Sequence, residues 1–320
     1  MYPSRKLKMK LEIPTHNLIT MESAAFIEAV KSDFGLPITE VEKVTSGWAN
    51  QVHKANLNGK VVFIRINKNS EIFPLEILGY EIFKKQGIPV PEVIAYQEKP
   101  SHLGYPTMIL SAASGIEITK ANLSLEQKNS VYEKVGTLVR KINEVTLDGF
   151  GSLKVVEGKL RGKFQSWKES WMSSEKHFYV DAEIIRNNKL LTDTELQKLE
   201  EVYREIGSLD FGRASLLHRD VHSTHIFVTG DSVTGIIDLG RLEAGDPRYD
   251  IAMSLVFQKP EEQEAFRKGY GALSDDPMVN KYILAIAGTK IAFRSKNGLK
   301  EGAEEAVRVF REALALLVKK

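Results

Sequence analysis

The sequence predicts an α+β fold with a β-rich N-terminal part and a mainly helical C-terminal part. Residues 38–67 alternate apolar and polar side chains and contain Asn58-Gly59, a pair typical of a two-residue hairpin turn. Beyond residue 115 the apolar side chains recur at helical spacing, as in residues 123–143. One further hairpin is predicted at 226–237, where two apolar runs flank Gly230-Asp231.

The remaining elements follow from spacing and from residues that end helices. Residues 21–34 have the pattern of an amphipathic helix, and a second helix ends at Gly87, before Pro89. Ser124 and Thr192 are suitable N-caps for helices at 123–143 and 190–206. Helical patterns then continue from residue 250 to the end of the sequence.

Composition excludes several classes of function. The 320 residues are 42% hydrophobic and 27% charged, which allows two lobes with cores of their own and argues against disorder. A net charge of +2 gives no support to a nucleic-acid or membrane partner, and no apolar run reaches 18 residues. Cysteine is absent, and no signal peptide is evident, so we expect a cytoplasmic protein, monomeric or homodimeric.

The chemistry is concentrated around the hairpin at 226–237. Asp220 precedes it, His225 lies at its entry and Asp238 at its exit. Two carboxylates and a ligand-type side chain at the base of one hairpin suit Mg²⁺-dependent phosphoryl transfer. Asp220 would orient a hydroxyl, while His225 and Asp238 would hold Mg²⁺ against the phosphates of ATP or GTP.

This arrangement resembles the kinase-like aminoglycoside phosphotransferase family, which includes macrolide, choline, fructosamine and homoserine kinases. The family pattern H-x-D-x-x-x-x-N, I-D and G-D-P-x-x-D appears here as His218, Asp220, His225, Ile237-Asp238 and 245–250. His225 replaces the usual Asn, as in some macrolide and 2''-aminoglycoside kinases. An imidazole is softer than an amide oxygen, so His225 either ligates metal or positions Asp220 as a neutral hydrogen-bond partner.

The resemblance implies a bilobal protein-kinase-like fold. We expect a nucleotide-binding lobe at 1–110, a hinge at 111–115 and a catalytic and substrate-binding lobe at 116–320. Residues 45–51 would then cover the phosphates through Ser46, Gly47 and Asn50. The loop lacks the serine that relatives often carry after the glycine, so Ser46 or backbone N–H groups would supply that contact.

Four further residues acquire nucleotide-binding roles from the resemblance. Arg65 would pair with the phosphates, held by Glu76 or, failing that, Glu81, although each could equally be a solvated surface charge. Ser111 and Ala113 would present backbone groups to the base, although the same small residues would suit an ordinary linker.

The other histidines and the tryptophans have competing interpretations. His218 is expected to be structural, and His222 would lie near the acceptor. A zinc site made from His218, His222 and His225 is conceivable, but flanking carboxylates and the absence of cysteine favour Mg²⁺. Trp167 and Trp171 are one helical turn apart, which favours core packing over a wall of the substrate cleft.

The predicted reaction is transfer of the γ-phosphoryl group of ATP or GTP to a small-molecule hydroxyl. An aminoglycoside- or macrolide-type antibiotic is the foremost acceptor, and a metabolic amino alcohol, sugar or amino acid is the alternative. Residues 241–320 carry 12 acidic and 14 basic side chains, so no acidic excess indicates a polycationic acceptor. A weak, nucleotide-binding pseudokinase is a third possibility, whereas a protein kinase is disfavoured because no A-P-E follows Asp238.

Overall fold

The protein has an α+β fold, seen in a computed structural model that describes residues 18–44 and 50–318. Its N-terminal region is rich in sheet and its C-terminal region is helical, with 49% helix and 22% strand in all. The chain divides into two compact units. The first comprises Glu92–Ala112 and the described part of residues 1–73, and the second comprises Pro74–Pro91 and the described residues from Ala113 onward.

The first unit is one helix packed on a five-stranded antiparallel sheet. Its elements are α1 (Ser23–Phe34), β1 (Ile38–Val44), β2 (Gln51–Leu57), β3 (Lys60–Ile66), β4 (Val93–Gln97) and β5 (Thr107–Ser111), in the sheet order β1-β2-β3-β5-β4. Asn58 and Gly59 have φ values of 52° and 81°, so the predicted β2–β3 turn forms. Phe26 and Val30 of α1 pack with Ile64 and other apolar residues of the sheet.

The second unit is mainly helical. Its helices are α2 (Ile72–Lys85, in this unit from Pro74), α3 (Leu125–Asn143), α4 (Trp167–Ser173), α5 (Glu175–Asn187), α6 (Asp193–Gly207), α7 (Arg248–Leu255), α8 (Pro260–Tyr270), α9 (Pro277–Lys296) and α10 (Lys300–Val318). Capping boxes join Ser124 to Gln127 and Thr192 to Glu195, as the two predicted N-caps require. In residues 18–44 and 50–318, none of the helices has the length and apolar character required to cross a bilayer.

Two small sheets complete the second unit. Its strands are β6 (Ile116–Glu117), β7 (Thr146–Leu147), β8 (Phe150–Val156), β9 (Lys159–Phe164), β10 (Ala214–Leu217), β11 (Ile226–Thr229), β12 (Ser232–Ile236) and β13 (Glu243–Gly245). The sheet orders are β12-β11-β6 and β7-β10-β13-β8-β9. The predicted hairpin at 226–237 is therefore β11–β12, and β10 delivers the chain to it.

Close helix packing in this unit depends on glycine. A Cβ atom on Gly269 of α8 would overlap the backbone carbonyl of Glu133 in α3, and one on Gly136 of α3 would overlap that of Phe266. The two backbones can approach this closely only because neither position carries a side chain. Helix α9 runs through the core, where Tyr282, Leu284 and Ile291 are fully buried.

Candidate active site

The β11–β12 hairpin brings together the residues that the sequence singled out. A 3₁₀ turn at Ser223–His225 leads from the loop after β10 into β11. The N–H of Ile237, which follows β12, donates to the carbonyl of His225 at 3.1 Å. This bond closes the base of the hairpin and places Asp238 beside His225, with the Asp238 carboxylate 3.8 Å from His225 Nε2.

The loop after β10 is anchored by one buried carboxylate. Asp250 on α7 is fully buried and accepts hydrogen bonds from the backbone N–H groups of His218 and Arg219, each at 2.8 Å. Asn143 Nδ2 also donates to Asp250, at 3.0 Å, and Tyr270 donates to the Asn143 carbonyl oxygen. Burial raises the pKa of Asp250, and these N–H donors oppose that rise by stabilising the charged form.

Arg219 holds a conformation that non-glycine residues rarely adopt, with φ at 69°. Its guanidinium forms an ion pair with Glu243 at 2.7 Å and lies over the Tyr249 ring, 3.8 Å from the centroid. The hydrogen bond to Asp250 holds the backbone of Arg219, and the contacts with Glu243 and Tyr249 hold its side chain. The next residue, Asp220, is consequently presented in a defined direction.

His218 has a structural environment. Its ring is fully buried, and Nδ1 accepts a hydrogen bond from the Asp220 backbone N–H at 3.3 Å. Burial lowers the pKa of His218, which keeps the imidazole neutral. Nε2 then carries the proton and is without a partner in the part of the chain that the structure describes.

His225 uses its two nitrogens differently. Nδ1 lies 2.9 Å from the backbone carbonyl of Asp220, so it must carry the proton and donate. In the neutral ring Nε2 then has a free lone pair, and this is the nitrogen that faces Asp238. His225 thus supports the Asp220 backbone and also offers a ligand atom, so its two interpretations are compatible in one geometry.

Several polar groups surround the Asp220 carboxylate. Its oxygens lie 3.7 Å from His222 Nε2 and 3.9 Å from Arg241 Nε, and the side chain is 14% exposed. The rings of His222 and His225 are 3.8 Å apart. Burial, followed by the charge of His225, lowers the pKa of His222 to about 4, so this imidazole is neutral near pH 7.

The donor atoms suit a divalent cation in two arrangements. His225 Nε2 and the Asp238 carboxylate form the predicted pair, and one oxygen or nitrogen from each of Asp220, His222 and His225 lies within 4.8 Å of the others. The first set mixes one nitrogen with carboxylate oxygen, and water and phosphate oxygens would complete the hard coordination that Mg²⁺ prefers. The second set, with two imidazoles, is better suited to a softer metal such as zinc.

A cavity of about 250 Å³ lies on the Arg241 side of Asp220. Trp171, Phe178 and Tyr203 line it together with Asp181 and Arg241. The indole N–H groups of both tryptophans donate to backbone carbonyls of α6, as expected of packed residues. Trp167 is 4% exposed and belongs to the core, and Trp171 is only partly buried, so both packing and a cavity wall are realised.

Among the predicted nucleotide-binding residues of the first unit, Asn50 accepts a hydrogen bond from Asn67 Nδ2 at 2.7 Å. The Arg65 guanidinium is 5.7 Å from the Phe73 ring centroid, and Arg65 is buried. Ser111 Oγ accepts from the Glu92 backbone N–H at 2.9 Å, so its side chain is engaged within the unit. Ser46 and Gly47 lie outside the described residues.

Glu76 and Ala113 belong to the second unit. Glu76 is 1% exposed on α2, and Ala113 lies close to Gly235 of β12, where a Cβ atom on the glycine would be 2.8 Å from it. Burial argues against Glu76 being a solvated surface charge. Its pairing with Arg65 and the hinge role of Ala113 stay predictions.

Four residues that organise the site had no predicted role: Asn143, Arg219, Glu243 and Tyr270. Asn143 was visible only as the polar end of a helical stripe, and Tyr270 as one more apolar position of α8. Asn143 is more than 100 residues from both Asp250 and Tyr270 in sequence, so their shared hydrogen-bond network becomes visible only in three dimensions.

A β-rich region, a helical region and an aspartate-bearing loop ahead of a short hairpin define a kinase-like small-molecule phosphotransferase. The model of the phosphotransferase enzyme family matches residues 40–279. This chain belongs to that family. A search of curated proteins finds no significant match.

Solved structures show the same fold at low sequence identity. A thermostable mutant of aminoglycoside phosphotransferase APH(4)-Ia, in ternary complex with AMP-PNP and hygromycin B, is 18% identical, with a TM-score of 0.69 over 91% of this chain and 98% of that one. Spectinomycin phosphotransferase APH(9)-Ia with ADP and spectinomycin is also 18% identical, with a TM-score of 0.62 over 91% and 94%. The GDP complex of wild-type aminoglycoside 2'-phosphotransferase-IIIa is 15% identical, with a TM-score of 0.63 over 92% and 99%.

Proposed function

We propose that this protein transfers the γ-phosphoryl group of ATP or GTP to a hydroxyl group of a small molecule, with Mg²⁺ as the metal. The observation that carries the proposal is the placement of Asp220, His225 and Asp238 around the base of one hairpin. Membership of the phosphotransferase family supports the same reaction. Solved relatives that contain AMP-PNP, ADP or GDP support a nucleotide donor.

Asp220 has the central catalytic role in this proposal. Its carboxylate is held in place through Arg219 and Asp250, and it accepts the hydrogen bond of the acceptor hydroxyl. The hydroxyl oxygen is then aligned for in-line attack on the γ-phosphorus. As the new O–P bond forms, the bond from the γ-phosphorus to the β,γ-bridging oxygen breaks, ADP or GDP leaves, and Asp220 takes up the hydroxyl proton. Because phosphoryl transfer requires little covalent work from the protein, orientation of this hydroxyl is the main contribution of Asp220.

The donor nucleotide is held by the other predicted residues. His225 Nε2 and the Asp238 carboxylate would hold Mg²⁺, which neutralises phosphate charge when bound. Arg65, tied to Glu76, would pair with the α- and β-phosphates. The loop residues Ser46, Gly47 and Asn50 would cover the phosphates, and backbone groups at Ser111 and Ala113 would contact the base.

The acceptor that we propose first is a hydroxylated antibiotic of the aminoglycoside or macrolide type, which would make the protein a cytoplasmic resistance enzyme. Support comes from the relatives solved with hygromycin B and spectinomycin. A metabolic amino alcohol, sugar or amino acid is the second candidate. It is favoured by the even balance of acidic Asp181 and Glu243 against basic Arg219 and Arg241 in the 250 Å³ cavity, which offers a polycation no net attraction.

The test is phosphoryl transfer by the purified protein with Mg-ATP or Mg-GTP. Hygromycin B, spectinomycin, a macrolide, choline, homoserine and simple sugars are offered, and phosphorylated products are detected by mass spectrometry. The Asp220→Asn variant should lose transfer and keep its affinity for the nucleotide. Asp231→Asn, the same substitution at the exposed turn of the hairpin, should retain both.

Two outcomes would contradict the proposal. Undiminished transfer by Asp220→Asn would remove Asp220 from the reaction. Nucleotide binding without transfer to any acceptor, and without hydrolysis, would identify a pseudokinase instead.

A further inference from the structure

A second cavity, of about 580 Å³, lies beside His222 and has a basic lining. We call it the Lys290 cavity; its charged lining residues are Lys128, Glu262, Lys290 and Arg294, and the neutral His222 also lines it. His222 connects it to the site, since His222 Nε2 is 3.7 Å from the Asp220 carboxylate. All of its lining belongs to the second unit.

Some charged side chains that line the cavity have hydrogen-bond or ion-pair partners, and others do not. Arg294 is engaged, because Nη1 donates to the Gly302 carbonyl at 2.7 Å and pairs with Glu305 at 3.0 Å. Glu262, the acidic lining residue, accepts from the Lys259 backbone N–H in a helix cap. Within residues 18–44 and 50–318, the side chains of Lys128 and Lys290 have neither a hydrogen bond nor an ion pair. Two ammonium groups that lack a hydrogen bond or ion pair within the described residues therefore line the same cavity as Glu262.

Lys290 is the more informative of the two. It is partly buried on α9, next to the fully buried Ile291 and one turn after the buried Ile286 and Ala287. Burial lowers the pKa of Lys290, the negative charge of Asp220 opposes this, and Arg241 and Arg294 reinforce it. A half-buried ammonium without a partner is costly, and the cost falls when an anion enters the cavity.

We propose that the Lys290 cavity binds an anionic group of the acceptor, a carboxylate or a phosphate, and so directs the acceptor hydroxyl to Asp220. This inference rests on the proposed phosphotransferase function and narrows its acceptor to hydroxyl compounds that carry an acidic group. A polycation would meet Lys128 and Lys290 without an acidic excess to offset them. The metabolic acceptor is thereby favoured over an aminoglycoside.

The same positive charge could instead contact the phosphoryl group in transit from the nucleotide. The position of the cavity favours the acceptor. Its lining includes residues 222–224 of the loop and parts of α3, α7, α8 and α9, but neither His225 nor Asp238. The two proposed metal ligands, which would face the nucleotide phosphates, thus lie outside it.

The test uses three probes built on one pyranose ring: glucuronate with a carboxylate, glucose without charge, and glucosamine with an ammonium group. Binding to the 320-residue protein saturated with Mg-ADP is measured by titration calorimetry. We expect glucuronate to bind about tenfold more tightly than glucose, and glucosamine more weakly than either. Lys290→Met should reduce glucuronate affinity to that of glucose, and Lys290→Arg should retain most of the preference.

Lys300→Met is the matched control, because it removes the same charge from an exposed position at the start of α10. It should leave all three affinities unchanged. Equal responses to the three probes, including no response to any, would overturn the proposal. A glucuronate preference that persists in Lys290→Met would overturn it too.

A kinetic experiment distinguishes an acidic group of the acceptor from the transferred phosphoryl group as the anion that Lys290 contacts. It also distinguishes failure of the anion site from failure of the proposed phosphotransferase function. Hydrolysis of Mg-ATP, with water as the acceptor, is compared in the wild type and Lys290→Met. A lower kcat for hydrolysis with unchanged glucuronate binding would assign Lys290 to the transferred phosphoryl group and overturn the acceptor site. If the protein prefers glucuronate but transfers phosphate to no acceptor, the anion site is supported and the proposed function is rejected. If the protein transfers phosphate efficiently to a polycation, and Lys290→Met leaves the KM for that acceptor unchanged, the proposed function is supported and the anion site is rejected.

Discussion

Replacing Asp250 by Asn tests how the catalytic loop is held. The carboxylate accepts three hydrogen bonds, from His218 N, Arg219 N and Asn143 Nδ2, at 2.8, 2.8 and 3.0 Å. An Asn side chain has the same shape but only one acceptor oxygen. In its best orientation it keeps the two donors at the Oδ2 position and directs its NH₂ group at the N–H of Arg219.

The cost of that mismatch can be worked from the contacts. One hydrogen bond to a charged acceptor is lost, worth roughly 1.5–3 kcal/mol, and the N–H of Arg219 is left facing another donor. We expect Asp250→Asn to lower the free energy of unfolding by about 2–4 kcal/mol. Arg219 would also be freer to leave its positive φ, so Asp220 would be misdirected and turnover would fall about tenfold or more.

Urea unfolding followed by tryptophan emission measures the stability change, since Trp167 and Trp171 lie in the second unit. Asp231→Asn is the control, because Asp231 is 48% exposed and pairs with Lys134 at the surface. It should leave the urea midpoint of unfolding nearly unchanged, because solvent screens a surface ion pair. If the two variants unfold at the same urea concentration and turn over equally fast, the buried carboxylate does not organise the loop.

Four further outcomes are expected. Asp220→Glu, which keeps the charge but advances the carboxylate by one methylene, should lower kcat at least about tenfold with nucleotide affinity unchanged; an unaltered kcat would argue against a positioning role. His225→Asn, which supplies an amide oxygen, should raise the ratio of Mg²⁺- to Mn²⁺-supported turnover, and an unchanged ratio would mean that His225 does not ligate the metal. Burial raises the pKa of Asp181 to about 6 from its usual 3.8. Between these two pH values the folded protein binds more protons than the unfolded chain, so the free energy of unfolding falls as the pH rises from about 4 to about 6. Asp181→Asn should therefore stabilise the protein by up to about 2 kcal/mol at pH 7.5 and not at pH 3.5, as measured by urea unfolding, and an equal effect at both pH values would contradict this. Gly269→Ala should lower the free energy of unfolding by about 2 kcal/mol or more, because its methyl group overlaps the Glu133 carbonyl; a neutral result would show that α3 and α8 can separate without cost.

Local patterns were sufficient for most of the secondary structure. Asn58-Gly59 adopts the positive φ values that its turn requires, and Ser124 and Thr192 cap the helices predicted to follow them. The β8–β9 hairpin was missed, although Glu157-Gly158 provides its turn, with φ values of 49° and 71°. Glu-Gly is a weaker turn indicator than Asn-Gly, because Glu seldom adopts positive φ.

The fold class and the order of the chemical groups could be predicted from local patterns, because Asp220, His225 and Asp238 are close enough along the chain for one hairpin to bring them together. The contacts that hold these three residues, and the cavities beside them, depend on the packing of distant elements. Hydrogen bonds join Asn143 to Asp250 and to Tyr270, each more than 100 residues away in sequence. His225 donates from Nδ1 to the Asp220 carbonyl, and its Nε2 faces the Asp238 carboxylate. Periodicity reports which face of an element is buried, whereas the pairing of buried polar groups and the charge of a cavity depend on which distant elements pack together.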